Sequence, residues 1–88
     1  MSTLNLSKTI ETPAGMRVTV TATVNTGCVS VEVRSIFSSA GANVLWSEIE
    51  DMEALARIFA DERVIVFQAI VEMLGKIHSN RHIYEALL

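Results

Sequence analysis

Apolar and polar residues alternate with period two through the first third of the chain. In Met16–Val24 the even positions are Met16, Val18, Val20, Ala22 and Val24, and the odd ones are Arg17, Thr19, Thr21 and Thr23. Period two with one polar face predicts a half-buried strand. Val29, Val31, Val33 and Phe37 repeat the pattern on odd positions, opposite Ser30, Glu32 and Arg34. Asn25-Thr26-Gly27 lies between the two runs and predicts a hairpin. A two-residue loop at Thr26-Gly27 sets Val24 opposite Val29, Ala22 opposite Val31 and Val20 opposite Val33. Every apolar residue then shares one face, so parity supports this register.

A first strand over about Thr3–Glu11 offers Leu4, Leu6 and Ile10 to the same face. Thr12-Pro13-Ala14-Gly15 suits a type I turn closed by a left-handed glycine, because proline fixes φ and glycine has no Cβ to clash. That loop sets Ile10 opposite Val18 and Leu6 opposite Ala22. Lys8 breaks the pattern by pointing inward. An inward charge on an edge strand guards against edge-to-edge aggregation, and here it could also reach an acid on a covering helix. Residues 38–43 (Ser-Ser-Ala-Gly-Ala-Asn) predict a loop, and Asn43–Trp46 a short fourth strand.

Beyond Trp46 the period changes. Ser47 and Glu50 have the spacing of a capping box, which predicts a helix start. Met52, Leu55, Ala56 and Phe59 follow at helical intervals. A break near Asp61 is expected, since one helix over Ser47–His78 would be long for so small a domain. In the second helix Val64, Phe67, Val71 and Leu74 form one stripe, and Val66, Ile70, Met73 and Ile77 form its neighbour. Together they cover about half the circumference, more than a surface helix ordinarily buries. Such a helix packs on the sheet and also on the first helix or a partner chain. Gly75 and Ser79-Asn80 mark its weakening end, and Arg81–Leu88 reads as a terminal turn. The predicted fold is α+β: a three- to four-stranded antiparallel β-meander followed by two α-helices packed on one face, over residues 1–88 as a single domain.

Composition adds an expectation of self-association. Small domains hide a modest share of their surface and lean on disulfides, metals or oligomers. One cysteine, Cys28, excludes an internal disulfide, yet 50% of the 88 residues are hydrophobic. A homodimer is therefore expected, with Val64, Val66, Phe67, Ile70, Met73 and Ile77 as its contact residues. Met1–Lys8 lacks the basic start and apolar stretch of a secretory leader. The most apolar window, Val64–Ile77, is interrupted by Gln68, Glu72 and Lys76 and falls short of the ~20 residues of a membrane span. An unpaired cysteine suits a reducing interior. A cytoplasmic location follows as the expectation.

Charge is concentrated. Residues 48–62 hold six acids (Glu48, Glu50, Asp51, Glu53, Asp61, Glu62) against one base, Arg57, a net of −5 in a chain of net −3. Such a surface repels phosphate backbones and attracts basic protein surfaces. Acids also belong at helix starts, where they offset the dipole, so placement alone can explain much of the run. Direct nucleic-acid binding is not expected: the outward sheet face is mostly threonine and serine, with Arg17 and Arg34 its only bases on the second and third strands. Trp46 and Tyr84 are candidate interface anchors.

Chemistry-bearing constellations are sparse. His78 and His82 have ligand spacing, but Ser79-Asn80 interrupts the helix between them and no third ligand is near. Cys28 has no base beside it in sequence. The glycines are scattered rather than gathered in a phosphate loop. No catalytic residue, cofactor or metal is assigned, and the chain is expected to be non-enzymatic. The leading expectation is a protein-binding module whose acidic helical surface (Glu48, Glu50, Asp51, Glu53, Asp61, Glu62) engages a basic partner. Phage-encoded inhibitors of nucleic-acid-handling defence machinery share this profile, by analogy. The alternative is a structural or assembly subunit that self-associates through apolar helix surface and sheet edges.

Overall fold

The computed structural model describes residues 4–87. Four strands, β1 (Leu4–Glu11), β2 (Arg17–Val24), β3 (Cys28–Arg34) and β4 (Ser39–Leu45), form an antiparallel sheet in the order β1-β2-β3-β4. A 3-10 turn at Trp46–Glu48 leads into α1 (Met52–Ile58), α2 (Val64–Ser79) and α3 (Arg81–Leu87). The α+β meander is as expected, with a fuller fourth strand and a third short helix. Thr3 and Leu88, at the ends of the expected elements, lie outside the described residues.

Both hairpins adopt the register that parity demands. Ile10 pairs with Val18, Leu6 with Ala22, Val24 with Val29 and Ala22 with Val31. In the first turn the Gly15 N–H donates to Thr12 O at 2.8 Å, and Gly15 has φ +85°. The buried Thr12 accepts from the Met16 N–H through Oγ1 at 3.1 Å. Lys8 faces the helices and donates from Nζ to Glu72 Oε2 on α2 at 3.2 Å. Both partners remain half or more exposed, so the pair adds little stability. Its consequence is a charge held at the β1 edge.

Three expectations are corrected. Residues 39–42 are strand rather than loop: Ser39 pairs with Arg34, Ala40 with Val33, Gly41 with Glu32 and Ala42 with Val31. Phe37, assigned to the buried face, lies in the β3–β4 turn and is 80% exposed. Ser47 does not cap a helix. It sits inside the 3-10 turn, and α1 starts at Asp51, whose carboxylate accepts from the N–H groups of Glu53 and Ala54 at 3.1 and 3.2 Å. A carboxylate accepting two free amides outcompetes the more distant serine. The break between helices falls where expected, over residues 59–63. Asp61 lies within it, and Arg63 precedes α2 without a side-chain cap.

The core fills the space between sheet and helices. Val18, Val20, Ala22, Val24, Val29, Val31 and Val44 meet Leu55 of α1, Phe59 just after it, and Val66, Ala69, Ile70, Met73, Leu74 and Ile77 of α2. α2 packs on β1 and β2. Among the described residues no helix is long and apolar enough to cross a membrane.

Candidate partner-binding edge

The acid run divides by what each carboxylate touches. Glu48 Oε1 accepts the Leu45 N–H at 3.0 Å, which closes the 3-10 turn. Glu50 Oε1 lies 2.8 Å from His78 Nε2, joining the approach to α1 with the last turn of α2. Asp51 caps α1. Among the described residues, the other three, Glu53, Asp61 and Glu62, make no such structural bond. Glu53 and Asp61 are exposed and Glu62 is half-buried. Glu50 precedes α1 rather than lying on it, so it shares no helical face with Glu53 and Arg57.

The expected self-association stripe is likewise divided. Val66, Ile70, Met73 and Ile77 are 0–7% exposed inside the chain's own core, which leaves them no surface to offer. Phe67 is half-buried, and Val64 is 73% exposed. The physical reason is that Val66, Ile70, Met73 and Ile77 pack into the core, while Val64 and Phe67 at the start of α2 line an open hollow with Ala56, Phe59 and Ala60. Trp46 belongs to the core. Its Nε1–H donates to Thr26 O at 3.2 Å, and the Arg81 guanidinium stands 4.6 Å from its ring centre. Tyr84 packs half-buried against the same core.

The two sheet edges differ in chemistry. β1 carries Lys8 and Glu11, while β4 reads Ser-Ala-Gly-Ala-Asn-Val-Leu and carries no charge. The Ser35 N–H donates to Ser38 O at 2.8 Å. Hydrogen-bonded pairs alternate along an antiparallel ladder, so Ala40, Ala42 and Val44 bond back to β3. Ser39, Gly41 and Asn43 therefore turn their N–H and C=O groups outward, on the side where, among the described residues, β4 has no neighbouring strand. Beside this edge Val33, Ala40, Gly41, Ala42, Ile58 and Phe59 line a groove of about 200 Å³, with Asp61 and Glu62 on its rim.

Sequence reasoning missed the apolar residues near this edge. Ile36 and Phe37 form the tip of the β3–β4 hairpin at 84% and 80% exposure, and Leu45 at the far end of β4 is 53% exposed. Ser35 Oγ accepts the N–H groups of Phe37 and Ser38, both at 3.2 Å. Serines flanking the pair were the available signal, since serine oxygens favour turn starts. The rest of the outward face is already satisfied by cross-strand bonds: Thr23 Oγ1 to Asn5 at 2.6 Å, Ser30 Oγ to Asn43 at 2.8 Å, and Thr9 with Thr19 at 3.2 Å.

His78 closes α2 and His82 lies in α3, on the two sides of Asn80. Among the described residues no three His, Cys, Asp or Glu side chains gather as a metal site. Cys28 is a half-buried thiol opposite Leu45 at the start of β3. No family profile, curated protein or solved structure matches the chain.

Proposed function

We propose that this chain is a small non-enzymatic protein-binding module whose docking element is the free edge of β4. The observation that carries the proposal is the contrast between the two edges. Proteins guard exposed edges with charge, and β1 has its lysine, whereas β4 presents the outward backbone groups of Ser39, Gly41 and Asn43 with no guard. An added strand would bond to those groups, and its alternate side chains would enter the groove of Ala40, Ala42, Ile58 and Phe59. Asp61 and Glu62 on the rim favour a partner strand flanked by lysine or arginine. This retains the basic partner expected from the acid run. It moves the recognition from a broad acidic helix surface to the two acids beside the groove, because Glu48, Glu50 and Asp51 serve the chain's own turns.

The test is amide hydrogen exchange by NMR, with an excess of an extended valine- and threonine-rich peptide flanked by lysines. Slow exchange at Ser39, Gly41 and Asn43 is the expected result. Fast exchange at all three, with and without peptide, would overturn the proposal.

A further inference from the structure

We infer that the strand occupying the β4 edge is β4 of a second copy, paired antiparallel about a two-fold axis at Gly41. This rests on the edge being the docking element and names its occupant in the free protein, a second copy that a lysine-flanked strand would displace. Three observations point to a second copy. The first is register. Pairing Gly41 with Gly41 of the partner subunit sets Ser39 against the partner's Asn43, and Asn43 against the partner's Ser39. These are the residues whose backbone groups point outward, so the strand is complementary to itself. Leu45, whose N–H is taken by Glu48, is left outside the bonded set.

The second observation is the placement of exposed apolar residues. In this register the hairpin tip at Phe37 comes level with the partner's Leu45, and Leu45 with the partner's Phe37. Phe37 and Leu45, 80% and 53% exposed in a single chain, would cover each other across the two-fold. Parity is preserved as well. Ala40 and Ala42 stay on the helix side in both copies, so the two grooves join beneath a continuous sheet.

The third is charge and closure. Ser39–Leu45 carries no charge, so the two paired strands themselves set no like charges against each other. A β4-to-β1 contact would instead leave free edges at both ends and propagate, and Lys8 and Glu11 oppose it. A β4-to-β4 contact uses one patch on both copies and closes at two.

Light scattering of the full chain at tens of micromolar should give twice 9.7 kDa. Gly41→Lys sets two ammonium groups face to face across the two-fold. Gly41→Pro removes an outward N–H while leaving the bonds to β3. A Cβ at this position meets Val31 O at 3.4 Å, an ordinary contact, so Gly41→Lys should keep the wild-type circular dichroism and melt as a folded monomer. Phe37→Ser should weaken dimerisation about tenfold or more. In a Cys28→Ser background, Gly41→Cys should cross-link to itself through a short bis-maleimide. A wild type of single mass would overturn the self-pairing, and peptide-induced protection of Ser39, Gly41 and Asn43 would then show the edge reading to stand without it. A dimer that survives Gly41→Lys, or that gives no Gly41→Cys cross-link, would overturn the pairing about Gly41.

Discussion

Asp51 holds the start of α1 through one oxygen that accepts two backbone amides, from Glu53 and Ala54. Removing such a cap ordinarily costs about 1 kcal/mol. Asp51→Ala should lower the urea midpoint accordingly, and Ser47→Ala should leave it nearly unchanged, because Ser47 is exposed within the 3-10 turn. Urea denaturation of the two variants side by side decides between the two candidate caps. Gly15 is the other residue with a sharp demand. Its φ of +85° excludes β-branched side chains, while a Cβ there would meet no atom within 4 Å. The cost of substitution is therefore conformational rather than steric crowding. Gly15→Val should destabilise by more than about 1 kcal/mol, and Gly15→Asn should recover part of it, since asparagine tolerates the left-handed region better. Equal losses for the two would point to crowding instead.

α2 has two apolar stripes with unequal duties. Ile70 is fully buried in the core, while Val64 in the first turn is 73% exposed. Ile70→Ala should cost about 2–5 kcal/mol, and Val64→Ala should stay within about 0.5 kcal/mol, both read from denaturant midpoints. The two stripes were legible as a pair, but their difference was not, because helical periodicity does not say where the sheet lies. The hairpins were legible in detail. Alternation fixes which face is buried, and Gly15 and Thr26-Gly27 fix the loop lengths, so the register follows. β4 was not, because Ser-Ala-Gly-Ala is poor strand sequence on its own and is held extended by pairing with β3. That composition, read as a loop, is also what leaves the candidate edge without bulk or charge. The acids of the candidate site were plain in the sequence. Their division was hidden, because the contacts of Glu48 with Leu45 and of Glu50 with His78 exist only once the turn and α2 are in place.

At the scale of the whole molecule, a net charge of −3 conceals two kinds of acid. Glu53, Asp61 and Glu62 contribute charge without a structural bond, while Glu48, Glu50 and Asp51 hold turns and helix ends together. Reversing the first three to lysine changes the net from −3 to +3, two charges at each position. Exposed charges contribute little to folding, usually under ~1 kcal/mol each, so the triple variant should fold, and its melting temperature should fall by no more than a few degrees. Its affinity for a lysine-flanked strand at the β4 groove should drop sharply, because Asp61 and Glu62 on the rim would now repel it. The opposite set, Glu48→Lys with Glu50→Lys and Asp51→Lys, makes the same change in net charge. It should destabilise strongly, because it removes the cap of α1 and the acceptors of the Leu45 N–H and His78. Charge is matched between the two variants, so a difference in their melting curves reports bonds rather than net charge. Similar melting of the two triple variants would mean that the run acts only through its total charge and that the division by contact is wrong.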